Sequence, residues 1–275
     1  DSIDEPNETI IVDINTVTNG TESGTQQVTA TITDDDAAPT VTLSLSGSPM
    51  AEAAGVATVT ATLSAVSGQD VTANLGFSGT ATINTDYTAS ASSITITAGG
   101  TTGSITLTAI QDAIDEPNET IVVDIATVTN GTESGTQQVT ATITDDDAAP
   151  TVTLSISGSP MAEAAGVATV TATLSAVSGQ DVTVNLAFSG TATLTSDYTR
   201  SGTSISITAG STTGSVTLTA VQDTIDEPDE TIVVDIATVS NGTESGTQQV
   251  TATITDDDPP PSVAFNVRLR VDRNQ

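Results

Sequence analysis

One segment, TQQVTATITDDD, occurs three times in this chain and constrains its fold more than any other feature. The copies end at Asp36, Asp147 and Asp258, so both intervals are 111 residues (147 − 36 and 258 − 147). Each copy alternates apolar and polar residues before the acids, which is the pattern of a half-buried β-strand. The sequence therefore predicts tandem β domains, each with three adjacent carboxylates at the end of its last strand.

The period divides the 275 residues into four segments. Residues 1–36 correspond to the truncated C-terminal part of a repeat, 37–147 and 148–258 are full repeats, and 259–275 are a tail or the start of a next domain. The full repeats differ at sixteen positions, nearly all mild replacements such as Leu45 by Ile156. Each full repeat is long enough to bury its own core. We therefore expect a tandem array in which neighbouring repeats of the same chain are partners.

β-branched residues alternate with Thr and Ser throughout each repeat, and Gly or Asn marks the breaks. In the first full repeat the predicted strands are 40–46, 56–63, 71–77, 92–97, 104–110, 120–126 and 137–144. The strands on either side of Ala98-Gly99-Gly100 are predicted to form a hairpin. Short strands in this number predict an all-β fold of tandem immunoglobulin-like, seven-stranded antiparallel β-sandwiches. The core must be aliphatic because Cys and Trp are absent.

The charge of the chain excludes several classes of partner. Its 35 acidic and 4 basic residues give a net charge of −31, which argues against nucleic acid and anionic membrane surfaces. The absence of Cys and His removes zinc sites, thiolate chemistry and disulfides. The longest apolar runs are far shorter than a membrane span, so we expect no membrane insertion in these residues.

Acids gather at four places in each full repeat, and alternate loops of an up-and-down sandwich would bring them to one end. In the first full repeat they are Glu52, Asp86, Asp112, Glu116, Asp145, Asp146 and Asp147. In the second they are Glu163, Asp197, Asp223, Glu227, Asp256, Asp257 and Asp258. Clustered carboxylates suit Ca²⁺, which takes six to eight hard oxygen ligands in flexible geometry. The alternative is a solvated, repulsive end that keeps repeats soluble and apart.

Enzymatic acid–base chemistry fits this pattern poorly. Glycosidases use a pair of carboxylates, whereas here the acids are many and clustered. Aromatic residues for a sugar platform are nearly absent. We therefore predict that the chain is not an enzyme.

The order of these motifs resembles that of Calx-β domains. The motifs are a Glu before a Gly (PMAEAAG), then TDY or SDY, then D-x-x-x-E-P-x-E, then a strand that ends in DDD. Such domains occur in sodium–calcium exchangers, in integrin β4 and as arrays in bacterial surface proteins. The resemblance covers both full repeats and the truncated copy. It implies Calx-β-type sandwiches with Ca²⁺ at the end that carries the final acids.

The resemblance also implies a ligand set. It comprises the acids named above, the backbone carbonyls of Ile114 and Ile225, and, in the truncated copy, Asp1, Ile3, Glu5, Asp34, Asp35 and Asp36. One departure is Gln111-Asp112-Ala113, where the exchanger domains carry consecutive Asp residues. Fewer acids at this place imply fewer ions or weaker binding.

These observations predict a calcium-binding structural repeat that forms a rigid stalk or fibre segment of an extracellular adhesin or matrix protein, secreted or on the cell surface. A calcium sensor and a ligand-binding adhesin tip are alternatives. A further alternative is a filament subunit, assembled with other copies by inter-chain strand complementation. Two observations suggest this filament alternative. The two strands of residues 1–36 cannot close a core alone, and the tail alternates Val263, Phe265 and Val267 with other residues. The other interpretation of residues 1–36 is a piece cut from a longer chain.

Overall fold

A computed structural model describes residues 2–267. Their contacts divide them into two units, the first formed by residues 2–113 and 117–146, the second by 114–116 and 147–267. Every regular element in these units is a β-strand. No helix among the described residues has the length and hydrophobicity that crossing a membrane requires.

The first unit contains a two-stranded and two five-stranded sheets. Its strands are β1 (Glu8–Asp13), β2 (Gln27–Ile32), β3 (Thr40–Ser46), β4 (Met50–Ala51), β5 (Val56–Leu63), β6 (Val71–Gly79), β7 (Tyr87–Ala89), β8 (Ser93–Ile96), β9 (Thr102–Ala109), β10 (Glu119–Thr129), β11 (Thr132–Glu133) and β12 (Gln138–Thr144). The sheets have the orders β1-β2, β4-β12-β10-β6-β8 and β11-β3-β5-β9-β7. The seven predicted strands are thus present in the first full repeat, and three short ones join them.

The second unit repeats the two five-stranded sheets. Its strands are β13 (Thr151–Ser157), β14 (Met161–Ala162), β15 (Val167–Leu174), β16 (Val182–Gly190), β17 (Tyr198–Arg200), β18 (Ser204–Ile207), β19 (Thr213–Ala220), β20 (Glu230–Ser240), β21 (Thr243–Glu244) and β22 (Gln249–Thr255). Their orders are β17-β19-β15-β13-β21 and β14-β22-β20-β16-β18.

Each aliphatic core lies between the two five-stranded sheets of its unit. In the second unit Val170 and Leu218 come from one sheet, Ile207 and Ile232 come from the other, and all four are at most 1% exposed. Alternate residues of long strands such as β15 and β19 point into the core, as the sequence pattern predicts. Truncation of a residue such as Ile232 to Ala is expected to cost about 2–5 kcal/mol.

The predicted hairpin around Ala98-Gly99-Gly100 is wrong. Strand β8 pairs with β6, whereas β9 pairs with β5 and β7, so the chain crosses from one sheet to the other. Both strands turn their apolar residues into the same core, and they do so from opposite sides. Gly103 permits this packing, because a Cβ there would lie 2.8 Å from Cγ2 of Ile94. The turn signal was correct, but it does not specify which sheet the next strand joins.

The two terminal segments differ from the full repeats in burial. Strands β1 and β2 form a hairpin, yet Ile10 is 50% exposed where its counterpart Ile121 is fully buried. In the tail, Val263 and Phe265 are exposed and lie outside any strand, contrary to the alternation of their sequence. The arginines of the tail lie beyond the described residues.

Candidate calcium site

The acids at the end of the last strand meet an acid from early in the same repeat. In the second unit, β14 pairs in parallel with β22, with Met161 opposite Ile254. The backbone N–H of Glu163 then donates to the carbonyl of Thr255 at 3.2 Å. Glu163 is only 8% exposed. This short parallel strand therefore places a buried carboxylate beside the final acid triple.

The acidic loop between β19 and β20 joins the same place. The backbone N–H of Asp223 donates to Oε1 of Glu163 at 3.0 Å, and that of Glu227 donates to Oδ1 of Asp256 at 3.3 Å. Within the loop, the N–H of Ile225 donates to Oδ1 of Asp223 at 2.7 Å. Carboxylates from three parts of the sequence thus hold the loop against the end of the sandwich.

Two groups of three carboxylates result. One oxygen from each of Glu163, Asp223 and Asp258 lies within 4.8 Å of the others. The same holds for Asp197, Glu227 and Glu230. A cleft lined by Glu163, Asp197, Asp223, Glu227, Glu230 and Asp256 connects the groups. Six acids in one cleft are the donor set of a hard-cation site.

The crowding of negative charge shows in the pKa values of this cleft. Burial, followed by the charge of Asp197 and a hydrogen bond with it, raises the pKa of Glu230 to about 7. Burial also raises the pKa of Glu227, and nearby carboxylates, first that of Asp223, add to the effect. The pKa of Asp258 rises for the same reasons, with Glu163 as its main neighbour. Neighbouring carboxylates thus disfavour the ionised forms of Glu227, Glu230 and Asp258.

The environment of Oδ2 of Asp258 shows whether a cation fits this group of carboxylates. This atom is buried and has no hydrogen-bond partner among the described residues. A buried polar atom without a partner is costly, and here the neighbouring groups are carboxylates, which in their ionised form cannot donate. A cation bound between Asp258, Glu163 and Asp223 would satisfy it, so the residues present fit a calcium ion.

The first unit repeats part of this arrangement. Oxygens of Glu52 and Asp146 lie within 4.8 Å of each other, as do those of Asp86 and Glu119. The N–H of Asp112 donates to Oε1 of Glu52 at 3.0 Å. Three other positions of the predicted ligand set, Ile114, Glu116 and Asp147, belong to the second unit by their contacts. Asp145 lies next in the chain to Asp146, and its N–H donates to Oδ1 of Asn118 at 3.1 Å.

The truncated copy also forms an acidic cavity, of about 250 Å³, in the first unit. Its acidic lining residues are Glu5, Glu8, Asp34, Asp35 and Asp36. Of the other positions predicted here, Ile3 is half-buried, and Asp1 lies outside the described residues. In the second unit, Asp257 lies at the exposed edge of its site. Its Oδ1 accepts a hydrogen bond from Nε2 of Gln222 at 3.1 Å.

Sequence reasoning missed one acid in each full repeat. Glu119 and Glu230 stand first in β10 and β20 and contribute to the carboxylate groups, yet they were outside the predicted ligand set. The signal was available in the alternation of the strand. Glu230 occupies the same face as Ile232 and Val234, which are buried, so its side chain belongs to the inward face at the end of the sandwich.

Comparison with known families now gives the fold a name. The family model of the Calx-beta domain matches residues 34–147 and again 145–258. The chain belongs to the Calx-beta family. Calx-beta domains are a family of calcium-binding, regulatory modules rather than catalytic domains, and the chain carries two of them in tandem.

Solved structures that resemble these Calx-beta repeats include CBD12 from CALX1.2, with 13% identity, a TM-score of 0.35, and coverage of 78% of this chain and 99% of that one. Calcium binding domain CBD12 of CALX1.1 has 15% identity, a TM-score of 0.33, and coverage of 69% and 76%. The CupB2 chaperone of Pseudomonas aeruginosa has 7% identity, a TM-score of 0.26, and coverage of 74% and 94%. No curated protein sequence matches the chain.

Proposed function

We propose that each full Calx-beta repeat binds Ca²⁺ at its acidic end. The observation that carries this proposal is Oδ2 of Asp258, a buried oxygen without a donor that lies in a group of three carboxylates. In the second repeat Glu163, Asp223 and Asp258 hold one ion, and Asp197, Glu227 and Glu230 are placed to hold another. Calcium supplies the positive charge that this cleft lacks.

Calcium is preferred to magnesium for a geometric reason. Mg²⁺ demands a near-ideal octahedron and retains its waters, whereas Ca²⁺ accepts many oxygens in irregular arrangements. Carboxylates from a loop, a strand end and a short edge strand form such an irregular set. A purely solvated acidic end would not require the buried position of Glu163, which is 8% exposed.

The tandem arrangement supports a mechanical role, as a calcium-stiffened spacer of an extracellular adhesin or matrix protein. The two full repeats differ at only sixteen positions, whereas a specialised binding face would be expected to diverge between copies. Only Ala148, Ala149 and Pro150 separate the last acid of one repeat from the first strand of the next. A spacer of this kind needs only weak affinity, roughly 0.1–1 mM, as extracellular modules have. Micromolar affinity would instead indicate a sensor.

Calorimetric titration of the chain with CaCl₂ tests the binding site, with two variants compared. Asp258→Asn should weaken one class of sites at least about tenfold, because a charged ligand is lost. Asp229→Asn is the matched control, because it removes a nearby charge but restores the residue found at the equivalent position Asn118. The side chain of residue 229 accepts from the N–H of Asp256 at 3.3 Å, and Asn can do the same. Equal titrations for wild type and Asp258→Asn would exclude Asp258 as a ligand.

The spacer role has its own test. Small-angle scattering of the chain with calcium and then with chelator should give different profiles if the ion stiffens the array. An unchanged profile after loss of the metal would refute that role and leave the calcium sites themselves intact.

A further inference from the structure

A Ser-Gly-Gln turn in each full repeat receives an aspartate from the preceding acidic loop. In the second unit the hydroxyl of Ser178 donates to Asp115. Its oxygen lies 3.1 Å from Oδ2 and 3.3 Å from the carbonyl oxygen of Asp115. The N–H of Gly179 donates to the same carbonyl at 3.0 Å. Two neighbouring groups of the turn therefore hold both the side chain and the backbone of Asp115.

The first unit contains the same contact 111 residues earlier. The hydroxyl of Ser67 lies 3.3 Å from both Oδ2 and the carbonyl oxygen of Asp4, and the N–H of Gly68 donates to that carbonyl at 2.9 Å. In both units the aspartate and the serine form an isolated parallel bridge. A contact that recurs with the same atoms is a feature of the repeat.

Hydrogen bonds within its own repeat also hold the turn in place, independently of the aspartate. The hydroxyl of Ser178 accepts from the N–H of Gln180 at 3.1 Å, and its carbonyl accepts from the N–H of Gly210 at 2.9 Å. The hydroxyl and the carbonyl of Ser178 each accept one hydrogen bond from their own repeat, and the hydroxyl hydrogen is donated to Asp115. Ser178 is 1% exposed and Asp115 is 9% exposed.

Gly179 allows the loop to approach closely. A Cβ at this position would lie 2.7 Å from Cγ of Glu116. At the equivalent Gly68, a Cβ would lie 3.0 Å from Cβ of Glu5. The turn therefore offers a hydroxyl, an N–H and a space without a side chain, which together fit an Asp-Glu dipeptide.

The third copy of the acidic loop provides the contrast. Asp226 stands in the same Ile-Asp-Glu-Pro sequence as Asp115, but it is exposed, and Ile225 is 59% exposed. No Ser-Gly-Gln turn contacts Asp226 among residues 2–267, because the turns at Ser67 and Ser178 hold Asp4 and Asp115. Burial of the loop thus follows from the turn and not from the sequence of the loop.

We propose that the Ser-Gly-Gln turn is a docking site for the Ile-Asp-Glu segment of the preceding repeat, and that this docking forms without metal. Its atoms are a neutral hydroxyl and a backbone N–H, which need no cation to meet a carboxylate. The docked aspartate lies between two predicted calcium ligands, Asp112 and Glu116. Ser67 and Ser178 are therefore positioning residues, which order part of a calcium-binding loop before any ion arrives.

Amide hydrogen exchange of the whole chain in excess chelator tests the proposal. In wild type the Gly68 and Gly179 amides should both be protected. Asp115→Ala and Ser178→Ala should each accelerate exchange at Gly179 by roughly tenfold, because a hydrogen bond to a charged group is lost. The Gly68 amide serves as the internal reference in both variants and should not change.

Three further variants separate docking from general damage. Asp226→Ala, in the exposed loop, should leave Gly179 unchanged. Asp115→Asn, which keeps a hydrogen-bonding side chain, should restore most of the protection that Asp115→Ala removes. The double variant Asp115→Ala/Ser178→Ala should exchange no faster than either single variant, since both remove the same contact.

Two results would overturn the proposal. One is rapid exchange at Gly179 in the metal-free wild type with protection only after calcium is added. The other is equal exchange at Gly179 in Asp115→Ala and Asp226→Ala. Since the measurement needs no bound calcium, its outcome does not depend on the calcium proposal, and a failure of calcium binding in the titration would leave it in force.

Discussion

Two aspartates of the second unit, Asp115 and Asp258, differ in how their buried carboxylate oxygens are satisfied. Oδ2 of Asp115 accepts a hydrogen bond from the hydroxyl of Ser178, whereas Oδ2 of Asp258 is buried without any partner among the described residues. A protein donor satisfies the first, and carboxylates surround the second. The difference shows that burial of an acid does not by itself indicate a metal site. What indicates one is a buried oxygen that the protein's own donors do not satisfy.

Removal of calcium should have the largest effect on this contrast. At ion concentrations about 100 times the dissociation constant, binding to the native state alone adds roughly 2.7 kcal/mol per site. A chelator should therefore lower the melting temperature of the chain clearly, and added NaCl should restore part of it by screening the acids. A thermal melt followed by circular dichroism measures both effects. A melting temperature indifferent to chelator would remove calcium from the stability of the fold.

Asp258→Asn should have opposite effects with and without the ion. In chelator the variant should melt at a higher temperature than wild type, because it removes a charge that Glu163 and Asp256 oppose and adds a donor. In calcium it should melt at a lower temperature and bind at least about tenfold more weakly, because a charged ligand is lost. Asp229→Asn is the control. A variant that melts lower under both conditions would show that Asp258 has a structural role instead.

The pH dependence of the metal-free chain follows from Glu230. Its pKa is raised from 4.5 to about 7 in the folded state, so between these values the folded state binds more protons than the unfolded state. Stability should therefore fall as pH rises from about 4.5 to 7, the reverse of the usual behaviour of a salt-bridged carboxylate. Denaturant melts in chelator across this range measure the slope, and Glu230→Gln should reduce it.

Calcium affinity should depend on pH in the opposite direction. An ion must displace the proton that Glu230 holds below about pH 7, so affinity should weaken as pH falls. Titrations in buffers of different ionisation enthalpy would detect the released proton. Affinity that does not change between pH 5 and 8 would place Glu230 outside the calcium site.

The smallest effect is expected at the satisfied acid. Asp115→Ala should cost about 1.5 kcal/mol of unfolding free energy, the low end of the range for a hydrogen bond to a charged group. Asp226→Ala, in the exposed loop, should stay within about 0.5 kcal/mol of wild type. Denaturant unfolding in chelator provides both values. If the two variants are equally stable, the contact of Asp115 with Ser178 contributes nothing to the fold.

Much of this architecture could be predicted from the sequence because its signals are local. Alternation in VATVTATL and QVTATIT gives strands with an inward and an outward face, and the fixed period gives the repeats. The crossing between β8 and β9 could not be predicted in the same way. A turn at Gly99 is compatible with either sheet, and the choice depends on how Ile94 packs beside Gly103, which is a contact in space.

The candidate site was predictable in its acids and less so in its details. Acids that follow a strand are visible in the sequence, and so are the motifs that carry them. To predict the role of Glu230, the side-chain direction of the first residue of its strand must be considered. The docked state of Asp115 could not be predicted, because Asp226 has the same neighbours in sequence and is exposed. Its burial depends on Ser178, which lies 63 residues away.

The short parallel strand β14 has a consequence for how a repeat folds. The hydroxyl of Thr255 donates to the carbonyl of Met161 across 94 residues of chain, so Glu163 and the final acids meet only after nearly the whole repeat is in place. Contacts between residues so distant in sequence are slow to form, since the entropy of closing the intervening chain must be overcome first. Calcium should therefore slow the unfolding of a finished repeat far more than it speeds the folding of a new one.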